Sequence, residues 1–113
     1  MDCTCTSDDF AATATRADGK RTLRVEGRCE CPRSGYRLRL EPGNPGINPQ
    51  PQEVVLQLVE TSPDFGATVM SQTEVDPYET EIGDEAERVE IRVPGGTGIS
   101  LPIEESDAGG YSY

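Results

Sequence analysis

Apolar and polar side chains alternate with a period of two along most of the 113-residue chain. In the segment KRTLRVEGRCEC, Leu23, Val25 and Cys29 fall on one face of an extended chain, whereas arginine and glutamate fall on the other. The segments GYRLRLE and ERVEIRV repeat this alternation. The period is typical of antiparallel strands with one buried face. It assigns to the core Leu23, Val25, Tyr36, Leu38, Leu40, Leu56, Leu58, Val69, Val89, Ile91 and Val93.

Residues that favour turns separate the alternating segments. The pair Asp18-Gly19 predicts a two-residue hairpin, because both residue types tolerate a positive φ. The segment EPGNPGINPQPQ predicts an irregular loop, because proline has no N–H to donate within a central strand. The pattern predicts strands at 9–17, 21–30, 35–41, 53–61, 66–75, 87–93 and 98–104, with a loose tail at 105–113.

Seven short strands spaced by about ten residues resemble an immunoglobulin-like or fibronectin-III-like domain between positions 9 and 104. The resemblance concerns architecture alone, because the chain has no tryptophan and Cys29 has no late cysteine with which to bridge two sheets. No functional residue is therefore carried over from those families. The predicted fold is a single all-β domain at 1–104, a seven- to eight-stranded antiparallel sandwich, with a small β-barrel as the alternative.

The four cysteines form two Cys-x-Cys pairs, Cys3 with Cys5 and Cys29 with Cys31. The predicted hairpin pairs positions whose numbers sum to 37, so Cys5 would face position 32 and Cys3 position 34. This register misses the second pair by about three residues, a gap that one or two bulges or a bend at Pro32 would close. We therefore expect all four sulfurs in one cluster at the open end of the hairpin.

Three chemical states fit such a cluster. The first expectation is a zinc site with Cys3, Cys5, Cys29 and Cys31 as ligands, since Zn²⁺ binds four thiolates in a tetrahedron. The spacing is unusual for zinc, because structural sites usually separate paired cysteines by two residues. Two cross-strand disulfides are the second possibility, and four free thiols packed as small hydrophobic side chains are the third.

Acidic residues outnumber basic ones, and the net charge is −11. This charge argues against binding to nucleic acid or to anionic membranes, since both carry negative phosphates. Acid excess with a single lysine, Lys20, is expected of a protein kept soluble in concentrated salt, and a high-GC genome also favours arginine over lysine. No long apolar run and no secretory signal is seen, so we expect a cytoplasmic protein, or an exported one if a native signal was trimmed.

The chain contains no histidine, which excludes Ser-His-Asp and Cys-His catalysis and histidine metal ligands. We therefore expect a non-catalytic module that binds another protein through an edge strand or a loop. The alternative is a thiol-redox or soft-metal-binding protein that uses the two cysteine pairs. A further candidate surface consists of the outward-facing arginines Arg24, Arg28, Arg37 and Arg39.

These arginines also lead to a prediction about ion pairs. A sandwich commonly places a late strand beside the third strand, which would bring the strand at 87–93 next to the strand at 35–41. Arg37 or Arg39 would then lie across from Glu87 or Glu90. Each exposed pair would contribute only about 0.2–1 kcal/mol.

Overall fold

A computed structural model describes residues 3–43, 50–65, 68–94, 96 and 98–107. The described chain is all-β, which confirms the fold class that the alternation predicts. One short 3-10 turn at Ser7–Asp9 precedes the strands. The strands are β1 (Phe10–Ala17), β2 (Lys20–Cys31), β3 (Arg37–Pro42), β4 (Glu53–Thr61), β5 (Ser71–Ile82), β6 (Arg88–Arg92), β7 (Ile99–Pro102) and β8 (Glu104–Asp107).

All eight strands belong to one sheet, in the order β7-β6-β4-β3-β5-β2-β1-β8. Strand β7 pairs with β6 in antiparallel orientation, and β8 pairs with β1 in parallel orientation. Only Ile103 separates β7 from β8, so the segment 99–107 connects the two edges of the sheet. Because β7 also lies beside β1, the sheet is nearly closed into a barrel.

The predicted antiparallel sandwich is therefore corrected to a single mixed sheet. The pairs β3–β5, β4–β6 and β1–β8 are parallel. Alternation could not separate the two architectures, because a sandwich and a barrel both bury every second side chain of a strand. The small barrel, the alternative prediction, is the nearer description.

Strand β5 differs most from its prediction. It occupies Ser71–Ile82, whereas the sequence indicated a strand at 66–75 that ends before Pro77. The ladder between β2 and β5 shifts register here, so Asp76 and Pro77 together oppose Glu26. This arrangement is a β-bulge, and a bulged residue is left out of the ladder. Proline is therefore tolerated inside the strand although it has no N–H to donate.

Strand β8 lies where the sequence indicated the start of a loose tail at 105–113. Its four residues, Glu104–Asp107, pair with Thr13–Arg16 of β1. The N–H of Ile103 donates to the carbonyl oxygen of Glu87 at 2.9 Å, which directs the chain from β7 into β8. The rest of the predicted tail, 108–113, lies outside the described residues.

The hydrophobic core lies inside the barrel, and all but two of the predicted core positions are buried there. Val93 is half-buried and packs against the core. The prediction that Val69 lies in the core is wrong, since its side chain is 58% exposed on the connection that precedes β5. The Phe10 ring covers Gly27, where an added Cβ would lie 2.3 Å from a ring atom, so this cross-strand pair requires glycine.

Arg21 of β2 is a charged side chain within this buried interior. The alternation of β2 places it on the inner face with Leu23. Its Nη1 donates to the carbonyl oxygens of Gly83 and Ala86, at 2.8 and 2.9 Å. Its Nε and Nη2 donate to the two carboxylate oxygens of Glu105. Arg21 thereby ties β2 to the β5–β6 connection and to β8, at the hairpin end of the barrel.

Replacement of Arg21 by alanine should lower the free energy of unfolding by about 2–4 kcal/mol, because the buried Ala86 carbonyl, the Gly83 carbonyl and the Glu105 carboxylate lose their donor. The matched control is Arg16→Ala, which removes an exposed ion pair of 2.7 Å with Asp84. This control should change stability by less than about 1 kcal/mol. Urea unfolding of both variants measures the difference. Equal losses would show that Arg21 contributes no more than a surface pair.

The same arginines predict a pH dependence of stability. A hydrogen bond from Arg21 lowers the pKa of Glu105, and one from Arg16 lowers the pKa of Asp84. A carboxyl group with a lowered folded-state pKa stabilises the fold above its unfolded pKa, and this contribution is lost as pH falls through the folded pKa. The melting temperature should therefore decrease below about pH 4.3. The Arg21→Ala variant should show a smaller decrease in melting temperature at low pH. A decrease as large as that of the unchanged protein would show that Glu105 does not contribute to the pH dependence.

Candidate functional site at the disulfide end of the barrel

The hairpin of β1 and β2 has the predicted register. Its pairs run from Phe10–Gly27 to Ala17–Lys20, and the position numbers sum to 37 throughout. Asp18 and Gly19 form the tip with φ values of 54° and 77°. Positive φ at both central residues is the requirement of the tight turn that suits the twist of paired strands. The local sequence therefore determines how the two cysteine pairs approach each other.

A short turn removes the three-residue mismatch between the cysteine pairs. Beyond β1, Thr4 pairs with Glu30, with backbone hydrogen bonds of 2.7 and 2.9 Å. The position sum there is 34 instead of 37, so three extra residues lie on the N-terminal side. The 3-10 turn at Ser7–Asp9 accommodates them. The shift therefore arises before β1, and not from a bulge opposite β1 or a bend at Pro32.

The cysteines form two disulfides, Cys3–Cys31 and Cys5–Cys29. The S–S distances are 2.09 and 2.04 Å, and the Cα atoms are 4.2 and 4.5 Å apart. Both bonds flank the hydrogen-bonded pair Thr4–Glu30, at the positions where antiparallel strands approach most closely. The four sulfurs thus share one place, and the disulfide state is the one the structure contains.

The zinc site predicted on Cys3, Cys5, Cys29 and Cys31 is therefore not the arrangement of the structure. Each sulfur is bonded to another sulfur, so none remains as a thiolate ligand. Among the described residues, no group of three or more His, Cys, Asp or Glu side chains is placed to hold a metal ion. The physical reason is the register, because directly opposed cysteines on neighbouring strands lie within disulfide reach and bond pairwise.

The two disulfides differ in exposure. Cys3, Cys29 and Cys31 are buried in the core cluster, whereas Cys5 is half-buried. The N–H of Cys3 also donates to Oε2 of Glu60 on β4, at 3.0 Å. The N-terminal segment is thus attached to β2 by sulfur and to β4 by a hydrogen bond.

Two loops next to the disulfides, at 32–36 and 62–65, pack against each other. Gly35, with a φ of 93°, lies so close to Pro63 that an added Cβ would be 2.9 Å from the proline Cβ. The same Cβ would be 3.2 Å from the carbonyl oxygen of Phe65. The guanidinium carbon of Arg33 lies 5.8 Å from the centre of the Tyr36 ring, within the range of a cation–π contact. The loop at 32–36 therefore supports the beginning of the loop at 62–70.

The connection between β4 and β5 exposes three large apolar side chains. Phe65 is 90% exposed, Val69 58% and Met70 61%. The alternation pattern did not predict these exposed side chains, because it assigned Val69 to the core and a strand to 66–75. Phe65, a large aromatic residue within the turn-rich segment TSPDFG, could have indicated an exposed apolar surface.

The four arginines predicted to face outward, Arg24, Arg28, Arg37 and Arg39, are exposed. Arg24 forms ion pairs with Glu26 and Glu79, at 2.9 and 3.3 Å. The hydrogen bond that Arg24 Nε donates to Glu26 is the largest cause of the raised pKa of Arg24. Arg39 pairs with Glu41 of its own strand at 3.4 Å.

The predicted pairing of Arg37 or Arg39 with Glu87 or Glu90 is wrong. Strand β4 lies between β3 and β6, because β6 pairs with β4 in parallel orientation. On β3, Arg37 lies opposite Thr61 of β4.

Comparison with known protein families, with curated proteins and with solved structures finds no match to this chain. The described part of the chain contains no helix with the length and hydrophobicity needed to cross a lipid bilayer. Candidate chemistry at this end of the barrel is therefore inferred from the residues and their geometry.

Reduction and chelation should act differently on stability. Closing a loop of about 25 residues with a disulfide stabilises a fold by about 3.5 kcal/mol in the chain-entropy description. A strong dithiol reductant should therefore lower the melting temperature markedly, whereas a zinc chelator should leave it unchanged. Calorimetry with each reagent measures both effects, and a variant with all four cysteines replaced by serine controls for nonspecific effects. A decrease in melting temperature caused by the chelator alone would instead support the predicted zinc site.

Proposed function

We propose that the chain is a non-catalytic protein-interaction module that binds its partner with the disulfide end of the barrel. The observation that carries this proposal is the exposure of three large apolar side chains on the β4–β5 connection, Phe65 at 90%, Val69 at 58% and Met70 at 61%. Exposed apolar patches often mark interaction sites on soluble proteins. Aromatic residues and methionine are also enriched at interfaces relative to other surfaces.

The support beneath these side chains favours recognition over accidental exposure. Gly35 packs closely against Pro63, and the carbonyl of Phe65 lies next to the same glycine. The base of the loop is therefore held by a neighbouring loop, which is itself joined directly to Cys31 of β2. Contacts that are ordered before binding reduce the entropy lost on association.

The partner class follows from charge and chemistry. A net charge of −11 disfavours nucleic acid and anionic membranes, which leaves another protein as the proposed partner. The bound surface would include an apolar pocket that accepts the Phe65 ring. The edge strand and the arginine faces remain competing surfaces on the same module.

We place the module in an oxidising compartment outside the cytosol, in line with the alternative expectation of an exported protein. Two disulfides support this placement, since such bonds persist outside the cytosol and are rare within it. A small β domain with a core of modest apolar content also gains most from such cross-links.

A second candidate function is thiol-disulfide chemistry at Cys5 and Cys29. The observation that favours it is the half-buried position of Cys5, since a redox-active sulfur must be reachable. The two functions differ in a measurable property. A bond that exchanges with a glutathione buffer in the cellular range supports redox chemistry, whereas a bond that stays oxidised there supports the interaction module.

The interaction proposal predicts separate effects on binding and stability. The double variant Phe65→Ala/Met70→Ala should lose capture of the partner from the protein's native surroundings, measured by cross-linking and quantitative mass spectrometry. Its free energy of unfolding should change by no more than about 0.5 kcal/mol, because both side chains are exposed.

The matched control is Arg37→Ala/Arg39→Ala, which changes the outward face of β3. This control should keep capture at the level of the unchanged protein. Loss of capture by the arginine variant alone would move the interface to β3. Equal capture by all three proteins would contradict a role for either surface.

A further inference from the structure

Residues 3–9 form an N-terminal strap that crosses the open end of β2. It is attached by the two disulfides, by the paired hydrogen bonds between Thr4 and Glu30, and by the hydrogen bond from Cys3 to Glu60. Cys3 alone among the strap residues is buried, and Cys5 is half-buried. The other strap side chains, from Thr4 and from 6–9, are exposed. The strap therefore contributes almost no apolar surface to the core.

The disulfides are consequently what keeps the strap in place. Ordering the backbone of seven residues opposes folding at every residue, and a few partly exposed hydrogen bonds return little of that free energy. The ion pair between Arg28 and Asp9, at 3.9 Å with both side chains exposed, adds little more. We therefore expect the released strap to be favoured once both disulfides are broken.

The two bonds are not equally open to a reductant. An attacking thiolate must reach one sulfur of the bond along its axis. Cys5 is half-buried, whereas both cysteines of the Cys3–Cys31 bond are buried. We propose that the strap is a redox-releasable element in which Cys5–Cys29 opens first and Cys3–Cys31 remains as the final attachment.

The chemistry is ordinary thiol-disulfide exchange with a dithiol reductant. One reductant thiolate attacks Sγ of Cys5, the bond to Cys29 breaks, and Sγ of Cys29 leaves with the electron pair and takes a proton from water. The second reductant thiolate then attacks its partner sulfur in the mixed disulfide and displaces Sγ of Cys5, which also takes a proton. Two electrons pass to the protein, and the reductant becomes a disulfide.

Opening of the second bond has a structural consequence on β2. The backbone N–H and carbonyl of Glu30 lose Thr4 as their partner, while the opposite edge of β2 stays paired with β5. Release would therefore uncover a short strand edge near Cys31 without breaking the ladder of β1 and β2. This inference does not rest on the proposed partner, because it concerns the strap and not Phe65.

Graded reduction with a dithiol, followed by alkylation and peptide mass spectrometry, tests the order. A species alkylated at Cys5 and Cys29 alone should accumulate before any species alkylated at Cys3 or Cys31. Alkylation of the buried pair first, or of all four cysteines together from the start, would overturn the proposal.

Hydrogen–deuterium exchange tests the release. In the fully reduced protein, the Glu30 amide should exchange at least about tenfold faster, while amides in the β1–β2 ladder keep their protection. Retained protection at Glu30 would overturn the proposal, and so would loss of protection across the whole barrel.

Two double variants keep the test independent of overall folding, because each retains one disulfide. Cys5→Ser/Cys29→Ser should keep the Glu30 amide protected until a reductant opens Cys3–Cys31. Cys3→Ser/Cys31→Ser should lose that protection at a lower reductant concentration, because its remaining bond includes the half-buried Cys5. The same reductant requirement for both variants would contradict the assigned order. Failure of Phe65 to bind a partner would change none of these outcomes.

Discussion

Closure of the sheet by the segment 99–107 is the constraint on which the rest of the fold depends. Ile99 and Leu101 fill the core from β7, and the next strand pairs with β1 at the opposite edge. An open sheet would leave unpaired backbone groups along both edges, which invites aggregation. Here one segment occupies both edges, so a chain with only 34% hydrophobic residues encloses its core without a second sheet.

A sheet closed in this way has two ends, and a different type of interaction stabilises each end. At the hairpin end, Arg21 supplies donors to two loop carbonyls and to Glu105, none of which could be satisfied by a hydrocarbon side chain. At the other end, two disulfides hold the strap at 3–9, whose residues include no large apolar side chain. The first type of interaction responds to proton concentration because it contains a carboxylate, and the second responds to thiols.

The features that the sequence predicted correctly are local ones. Asp18-Gly19 determines the hairpin register, and alternation determines the inner faces of β2, β3 and β6. The order of the strands could not be predicted from the sequence. Nothing in the sequences of β4 and β6, for example, indicates that these two strands pair in parallel. The length of β5 was not predicted, because a proline such as Pro77 normally ends a strand. The bulge that accommodates it forms only against the neighbouring strand β2. The cysteine cluster was predictable, but its bonding depended on the turn at Ser7–Asp9, which sets cysteine directly opposite cysteine.

The strap and the apolar loop share a base, which relates the two proposed activities of this end. Cys3 donates its N–H to Glu60, and β4 ends at the next residue, Thr61, before the loop at 62–70 begins. Departure of the strap would remove that hydrogen bond at the end of β4, while the contact between Gly35 and Pro63 would still hold the first residues of the loop. Redox chemistry at the sulfurs would then change the surroundings of Phe65, while Arg21 would keep its hydrogen bonds at the hairpin end of the barrel.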